Sequence, residues 1–357
     1  MPPLPIEPSS PERQNDMAAP RTRRFLFVRV GLRAGLLGVL FALIVWSATA
    51  LWIDGPVSRP WAGLLAGGFL ITCGALLHGI ERFRNGVLAV LGLVAVVMTW
   101  WFSIPARNDR DWQPSVARLA TATIQDHAVT IHNVRNFEYR SETDFTPHWE
   151  TRRYDLDQIV GCDLFISYWG PTLIAHTISS WAFADGQHVA VSIETRKVVG
   201  QDYSALLGFF RQYELYYAVT DERDLIGVRT DCRGEQVYLY RINIPQAAAR
   251  ALFEDYLSEI NRIAERPQWY NALTHNCTTT IRHNAKHVTP VARFNWRILA
   301  NGHLDEMLFT NGRIDTNLPF AELRQLSNIT AKAKAAGNSP DFARLIRVGL
   351  PTPALQP

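Results

Sequence analysis

Three apolar runs dominate the first third of the chain, at 34–53, 61–80 and 85–104, each about 20 residues long and nearly free of charge. At 1.5 Å per helical residue such a run covers about 30 Å, the thickness of a bilayer's hydrocarbon core. A buried helix of a soluble domain is usually shorter and striped with polar residues, so these segments predict three membrane spans. The first is too long to serve only as a cleavable signal. Arg21, Arg23, Arg24, Arg29 and Arg33 precede the first span, and Arg82 and Arg84 occupy the second loop, whereas the first loop holds only Arg59. By the positive-inside rule the N-terminus is cytoplasmic, and three crossings put everything after about residue 105 outside the cytoplasm. The expected location is therefore the inner (cytoplasmic) membrane, with a periplasmic C-terminal domain. Trp100, Trp101 and Trp112 suit an interfacial aromatic belt, and Cys73, in mid-span, reads as a small packing residue.

The expected organisation is a Pro-rich, disordered cytoplasmic tail over 1–30, a three-helix transmembrane region over 31–105, and an extracytoplasmic α+β domain over 120–345. Residues 1–110 carry 11 Lys+Arg against 6 Asp+Glu, and the rest of the chain carries 25 against 27. The basic pI thus belongs to the membrane flanks, and no nucleic-acid partner is expected. Four cysteines in 357 residues are too few for a disulfide framework. The pairing of Cys162 with Cys232 is left open.

Past residue 120 the pattern turns to short runs rich in β-branched and aromatic residues, at 127–134, 163–169, 176–183, 188–194, 214–219 and 236–242. Helices are expected at about 203–212, 245–264, 277–288, 296–310 and 319–336. The second of these starts after Pro245 and carries Leu252, Phe253, Tyr256, Leu257, Ile260 and Ile263 on one stripe.

The stretch HNCTTTIRHNAKHV, 275–288, holds the residue most suggestive of chemistry. Asn276 is a good N-cap, so Cys277 falls at the first helical position, where unpaired N–H groups and the dipole's positive end favour thiolate. Thiol pKa values drop from about 8.5 to roughly 3.5–7.5 in such settings. A buried packing cysteine is the plain alternative, and the polar neighbours weigh against it.

A thiol nucleophile needs a base, and the base needs an orienting partner. His176 opens a strand that enters a hairpin turning at Asp185-Gly186. For a loop of two or three residues, position 176 faces 194, 195 or 196, which puts Glu194 within cross-strand reach of it. His188, near the turn, lies about 20 Å along the strand. His283 and His287 sit one helical turn apart, but without a third ligand no metal is expected there. No cofactor is expected either. GxSxG, Walker, Rossmann and EF-hand patterns are absent.

The blocks YNALTHNCTTTIR, AHTISSWAFADG, VSIETRK, FFRQYELYY and DERDLIGVRT resemble the bacterial family of the Lnb N-terminal periplasmic domain, over about residues 125–345. Proteins of that type move an acyl chain from the diacylglyceryl-modified cysteine of a lipoprotein onto its amino terminus. The resemblance implies a circularly permuted papain-like fold, related to NlpC-type cysteine peptidases, in which the histidine strand precedes the cysteine helix. His176 before Cys277 keeps that order, and the resemblance implies base and nucleophile at these positions. Lnb itself has its periplasmic domain ahead of its membrane helices, whereas here the spans come first.

The expectation is a Cys-His acyltransferase or hydrolase acting through a thioester on a membrane lipid or lipoprotein, with Cys277, His176 and Glu194 catalytic and Asn276, Thr278 and Tyr168 facing substrate. The rivals are a cysteine amidase or endopeptidase acting on peptidoglycan or protein, and a non-catalytic envelope scaffold.

Overall fold

The computed structural model describes residues 19–170, 172–272, 274, 297 and 301–351, with side chains from residue 31 onward. The chain divides after Ser103 into two compact units.

The first unit is three helices, α1 (Ala19–Ile53), α2 (Arg59–Gly79) and α3 (Phe83–Ser103). All three are long and apolar enough to cross a membrane. They meet through Leu40, Ala48, Ala66, Phe69, Cys73, Val90, Val94 and Val97, so the packing role read for Cys73 holds. Leu36, Leu64, Ile71 and Val96 stay exposed on the outer faces, as residues do whose solvent is lipid. Helix α1 begins at Ala19, earlier than the expected tail boundary at residue 30. Residues 21–30 contain neither Pro nor Gly, so the sequence holds no helix breaker ahead of the apolar run.

The aromatic belt needs correction at two of its three positions. Trp101 is buried, and its indole Nε1–H donates to Asp54 Oδ2 at 2.7 Å. Trp112 lies buried in the second unit, with the Arg196 guanidinium 4.2 Å above its ring. Indole N–H groups need an acceptor and indole faces attract cations, which explains burial where the sequence suggested an interface.

The second unit is α+β. Its strands are β1 (Thr121–Gln125), β2 (Ala128–Arg135), β3 (Glu138–Tyr139), β4 (Phe145–Thr146), β5 (Trp149–Asp155), β6 (Ile159–Tyr168), β7 (His176–Phe183), β8 (His188–Arg196), β9 (Glu214–Thr220) and β10 (Gln236–Arg241). Eight of them form one sheet in the order β1-β2-β9-β8-β7-β6-β10, with β5 also paired to β2; β3 and β4 make a separate pair. The helices are α4 (Glu222–Gly227), α5 (Gln246–Glu265), α6 (Leu304–Thr310), α7 (Phe320–Ser327), α8 (Thr330–Ala336) and α9 (Phe342–Leu345).

Helices cover both faces of the central strands, which is why β7 reads HTISSWAF with seven of its eight residues buried rather than alternating. On one face Trp181, Val189, Val191, Leu215 and Tyr217 pack against the stripe of α5. The Trp181 indole donates to Ala249 O at 3.0 Å, fixing α5 on the sheet. On the other face Phe165, Ile178, Ala190, Val237 and Leu239 meet Leu225 and Ile226 of α4, together with Ile329, Ala333, Phe342 and Ile346.

Three expected helices differ. Among the described residues the 296–310 segment is α-helical only over Leu304–Thr310, after a 3-10 turn at Asn301–His303. The 203–212 segment holds only a single 3-10 turn, Leu207–Phe209. There a Cβ added to Gly208 would lie 3.4 Å from the Tyr270 ring, and the Tyr213 hydroxyl ties down the backbone of Asp202 and Ser204. The 319–336 helix is broken at 328–329, because Ile329 is fully buried and its N–H donates to Val237 O of β10 at 2.9 Å. Strands β1 and β5 were missed because TATIQ and WETRRYD carry polar residues on the outer face of a sheet margin.

Candidate functional site

The β7–β8 hairpin sets the site. Its tip is a three-residue loop, Ala184–Asp185–Gly186, closed by Phe183 N–H to Gln187 O at 3.0 Å. Gly186 has φ +88°, a value that a side chain there would resist. The register runs from Ala182↔His188 to Ile178↔Ser192, and continued by two residues it sets His176 opposite Glu194. A three-residue loop thus selects, among the three partners that the sequence allowed, the carboxylate.

Between the two stands a residue the sequence reading missed. His176 Nε2 lies 2.7 Å from Ser192 Oγ, and Ser192 Oγ donates to Glu194 Oε1 at 2.8 Å. The direct His176–Glu194 separation is 4.0 Å. Ser192 has one proton, and an ionised carboxylate can only accept it, so the hydroxyl must accept from Nε2–H. This assigns the imidazole tautomer: Nε2 carries the hydrogen, and Nδ1 carries the lone pair that can take a proton. The signal for Ser192 was available, since residues 192 and 194 share one strand face and both are diagonal or opposite to 176.

Glu194 is held ionised by cations from elsewhere in the chain. Burial alone would raise its pKa, but Arg229, then Arg135, then His176 outweigh this and hold the carboxyl well below the usual range. Arg229 NH2 donates to Glu194 Oε1 at 3.0 Å, and its NH1 to Leu225 O at 2.9 Å. Arg229 sits on a single π-turn, Val228–Cys232, directly after α4, the kind of helical irregularity that aims one side chain inward. Arg135 makes a buried bidentate pair with Asp224, whose second oxygen accepts from Phe137 N–H at 2.6 Å. On the other flank of His176, Ser167 is its partner on β6, and the Ser167 hydroxyl donates to Glu235.

The remaining expected site residues fall apart into two groups. Cys277, Asn276 and Thr278, with the 277–288 helix and His283 and His287, lie outside the described residues. Tyr168 is described and lies on the opposite sheet face from His176. It is buried, donates to Gly302 O at 2.8 Å and packs edge-on against Tyr238.

The described residues flanking that segment both lie at the His176 end of the sheet. Before it, Trp269 bridges to Glu214, the first residue of β9, and Glu214 pairs with Arg196, two residues beyond Glu194. Three strand spacings separate Trp269 from His176, about 14 Å, and eight residues of chain can span up to about 27 Å. After it, the Asn301 side chain clamps Ala175, accepting from its N–H at 2.8 Å and donating to its carbonyl at 2.6 Å. Gly302 follows, so close that an added Cβ would sit 1.8 Å from Thr172 O.

One cluster has the composition of a cation site: Asp163, His188 and Glu222. Arginines already hold it. Arg347 NH2 reaches Asp163 Oδ2 at 2.7 Å and Glu222 Oε1 at 2.6 Å, Arg241 pairs with Asp163, and Ser180 donates to Glu222. Two guanidinium groups on two carboxylates leave no excess negative charge for a cation. Cys162 and Cys232 are both free thiols, and burial pushes the Cys162 pKa up, the signature of an inert packing thiol.

Fold and site together give a chain with three helices apolar enough to cross a membrane and an α+β domain that presents a histidine hydrogen-bonded to a serine–carboxylate pair. Residues 145–302 match the family described as the Lnb N-terminal periplasmic domain. The match covers 158 of the chain's 357 residues and supports the family resemblance of this domain. No curated protein and no solved structure matches it. A periplasmic family domain and three apolar helices fit an inner-membrane protein.

Proposed function

We propose that this chain is a membrane-anchored thiol enzyme that transfers or hydrolyses the acyl group of a membrane lipid or lipoprotein, on a permuted papain-like domain held in the periplasm with the N-terminus cytoplasmic. The observation that carries the reading is the direction of the His176–Ser192–Glu194 relay, which leaves Nδ1 as the base and stabilises the imidazolium once it is charged. Cys277 is the nucleophile within chain reach of that base.

Nδ1 takes the Cys277 proton, and the thiolate attacks the ester carbonyl of the donor. As the tetrahedral intermediate collapses, the C–O bond breaks and the imidazolium returns its proton to the leaving alkoxide, leaving a thioester on Cys277. An amine or water, deprotonated by His176, then attacks the thioester and the thiol leaves. Backbone N–H groups at the start of a 277–288 helix would stabilise the oxyanion by about 3–4 kcal/mol per donor. Asn276 and Thr278, the sequence neighbours of Cys277, are the proposed substrate contacts, whereas the burial of Tyr168 supports a structural role for it.

The test is intact-protein mass spectrometry after incubation with a diacyl lipid extract. The wild type gains one acyl mass on Cys277, and His176→Ala and Cys277→Ala gain none. A wild type that stays unmodified with every donor class, lipid and lipoprotein alike, contradicts the proposal.

A further inference from the structure

Two loops meet at the end of the sheet where His176 lies, the β6–β7 connection after Tyr168 and the β8–β9 connection after Arg196. Trp169, Leu173 and Ile174 of the first are 55%, 52% and 55% exposed, and Val199 and Leu206 of the second are 57% and 60% exposed. The second unit's other exposed large aliphatic side chains, among the described residues, are Ile124, Val160, Leu326 and Val348, scattered over other elements. The two loops also carry little charge: from 169 to 174 there is none, and from 198 to 207 only Asp202. A soluble surface rarely concentrates apolar side chains in this way without a partner.

The chain itself indicates which partner. It enters the second unit at Ile104, the residue covalently next to Ser103, the last residue of the third apolar helix. The Ile104 carbonyl accepts from Trp269 Nε1 at 2.9 Å, and Trp269 bridges to the first residue of β9. The attachment point is therefore at the same end of the sheet as both loops. From these observations we propose that the 169–174 and 198–206 loops insert into the outer surface of the bilayer, with Trp169, Leu173, Ile174, Val199 and Leu206 entering the headgroup–acyl boundary to a depth of about 5–10 Å. This deepens the lipid-substrate reading on which it rests: the rim of the site is a lipid-facing surface, and a diacyl donor reaches His176 without leaving the membrane.

The full-length chain, made Cys277→Ser and Cys232→Ser, is labelled with an environment-sensitive fluorophore at Leu173→Cys, Leu206→Cys or Asp185→Cys and reconstituted into phosphatidylethanolamine–phosphatidylglycerol vesicles. Asp185 lies at the exposed hairpin tip, about 27 Å of strand away from His176. Labels at 173 and 206 should be quenched by lipids bearing a nitroxide high on the acyl chain and shielded from aqueous iodide, with the reverse at 185. Iodide quenching at all three positions overturns the proposal, and so does shielding of 173 and 206 from both quenchers, which would mean contact with protein. These variants lack the nucleophile, so the outcome does not depend on whether the acyl-transfer reading stands. In the otherwise wild-type chain, Leu173→Asp and Leu206→Asp should cut turnover of a vesicle-borne diacyl donor at least tenfold and leave a monomeric short-chain ester unaffected. An equal loss on both donors would assign these residues to folding rather than to the membrane.

Discussion

Replacing Ser192 by alanine removes the oxygen between His176 Nε2 and Glu194 Oε1 and changes nothing else of size. The two hydrogen bonds lost, 2.7 and 2.8 Å long, each engage a group that is charged when the imidazole is protonated. Hydrogen bonds to charged groups contribute about 1.5–3 kcal/mol each. Glu194 keeps its bond to Arg229, so most of its stabilisation survives. The loss then falls on the imidazolium, whose direct distance to the carboxylate, 4.0 Å, is too long for a hydrogen bond. About 2–3 kcal/mol off the thiolate–imidazolium state converts to a rate loss of roughly 30–150-fold, at 1.36 kcal/mol per factor of ten. The assay is the rate of acyl-adduct formation on Cys277, followed by intact mass across pH. Ser192→Ala should slow it by that factor, whereas Ser192→Thr, which keeps a hydroxyl, should recover most of the rate. A Ser192→Ala protein that melts normally and acylates at the wild-type rate would refute the relay.

Glu194→Gln bears on pH. The Glu194 carboxyl has a depressed pKa in the folded state, so it contributes stability above the ordinary carboxylate pKa of about 4.3 and loses that contribution as the pH falls through the lower folded value; the substitution should flatten the acid limb of a melting-temperature profile. Asp224→Asn leaves the Arg135 guanidinium, 4% exposed, without its counter-ion and should destabilise the domain by about 3–5 kcal/mol in a denaturant melt of the detergent-solubilised chain. Gly302→Ala drives a methyl into Thr172 O and should cost about 1–3 kcal/mol, with acylation falling further than stability because the displaced loop leads into His176. Trp181→Ala empties a fully buried indole site beneath α5 and should cost about 3–5 kcal/mol in the same melt.

The strongly patterned elements were legible from the residues alone. The spans of α2 and α3 matched to within two residues, and the α5 stripe and strands β7 and β8 read correctly because their length or periodicity outweighs local detail. The hairpin arithmetic carried the His176–Glu194 proximity, since a turn with Gly at positive φ fixes the register of everything beyond it. Ser192 went unread because serine on a buried strand has many uses, and only the atomic distances show it bridging two titratable groups. Arg229 went unread because its role comes from a π-turn 35 residues further along the chain, a contact no periodicity encodes. The helix expected at 203–212 failed for a related reason. Tertiary bonds from Tyr213 and the close approach of Tyr270 to Gly208 decide that backbone, and local propensity does not.

Whether His176 holds the Cys277 sulfur as a thiolate, as proposed, is read from the pH profile of Cys277 alkylation by iodoacetamide in the full-length protein. A plateau of fast alkylation should extend well below the ordinary thiol pKa of about 8.5 and vanish in His176→Ala. A profile rising only near 8.5, and identical in the wild type and in His176→Ala, would contradict it.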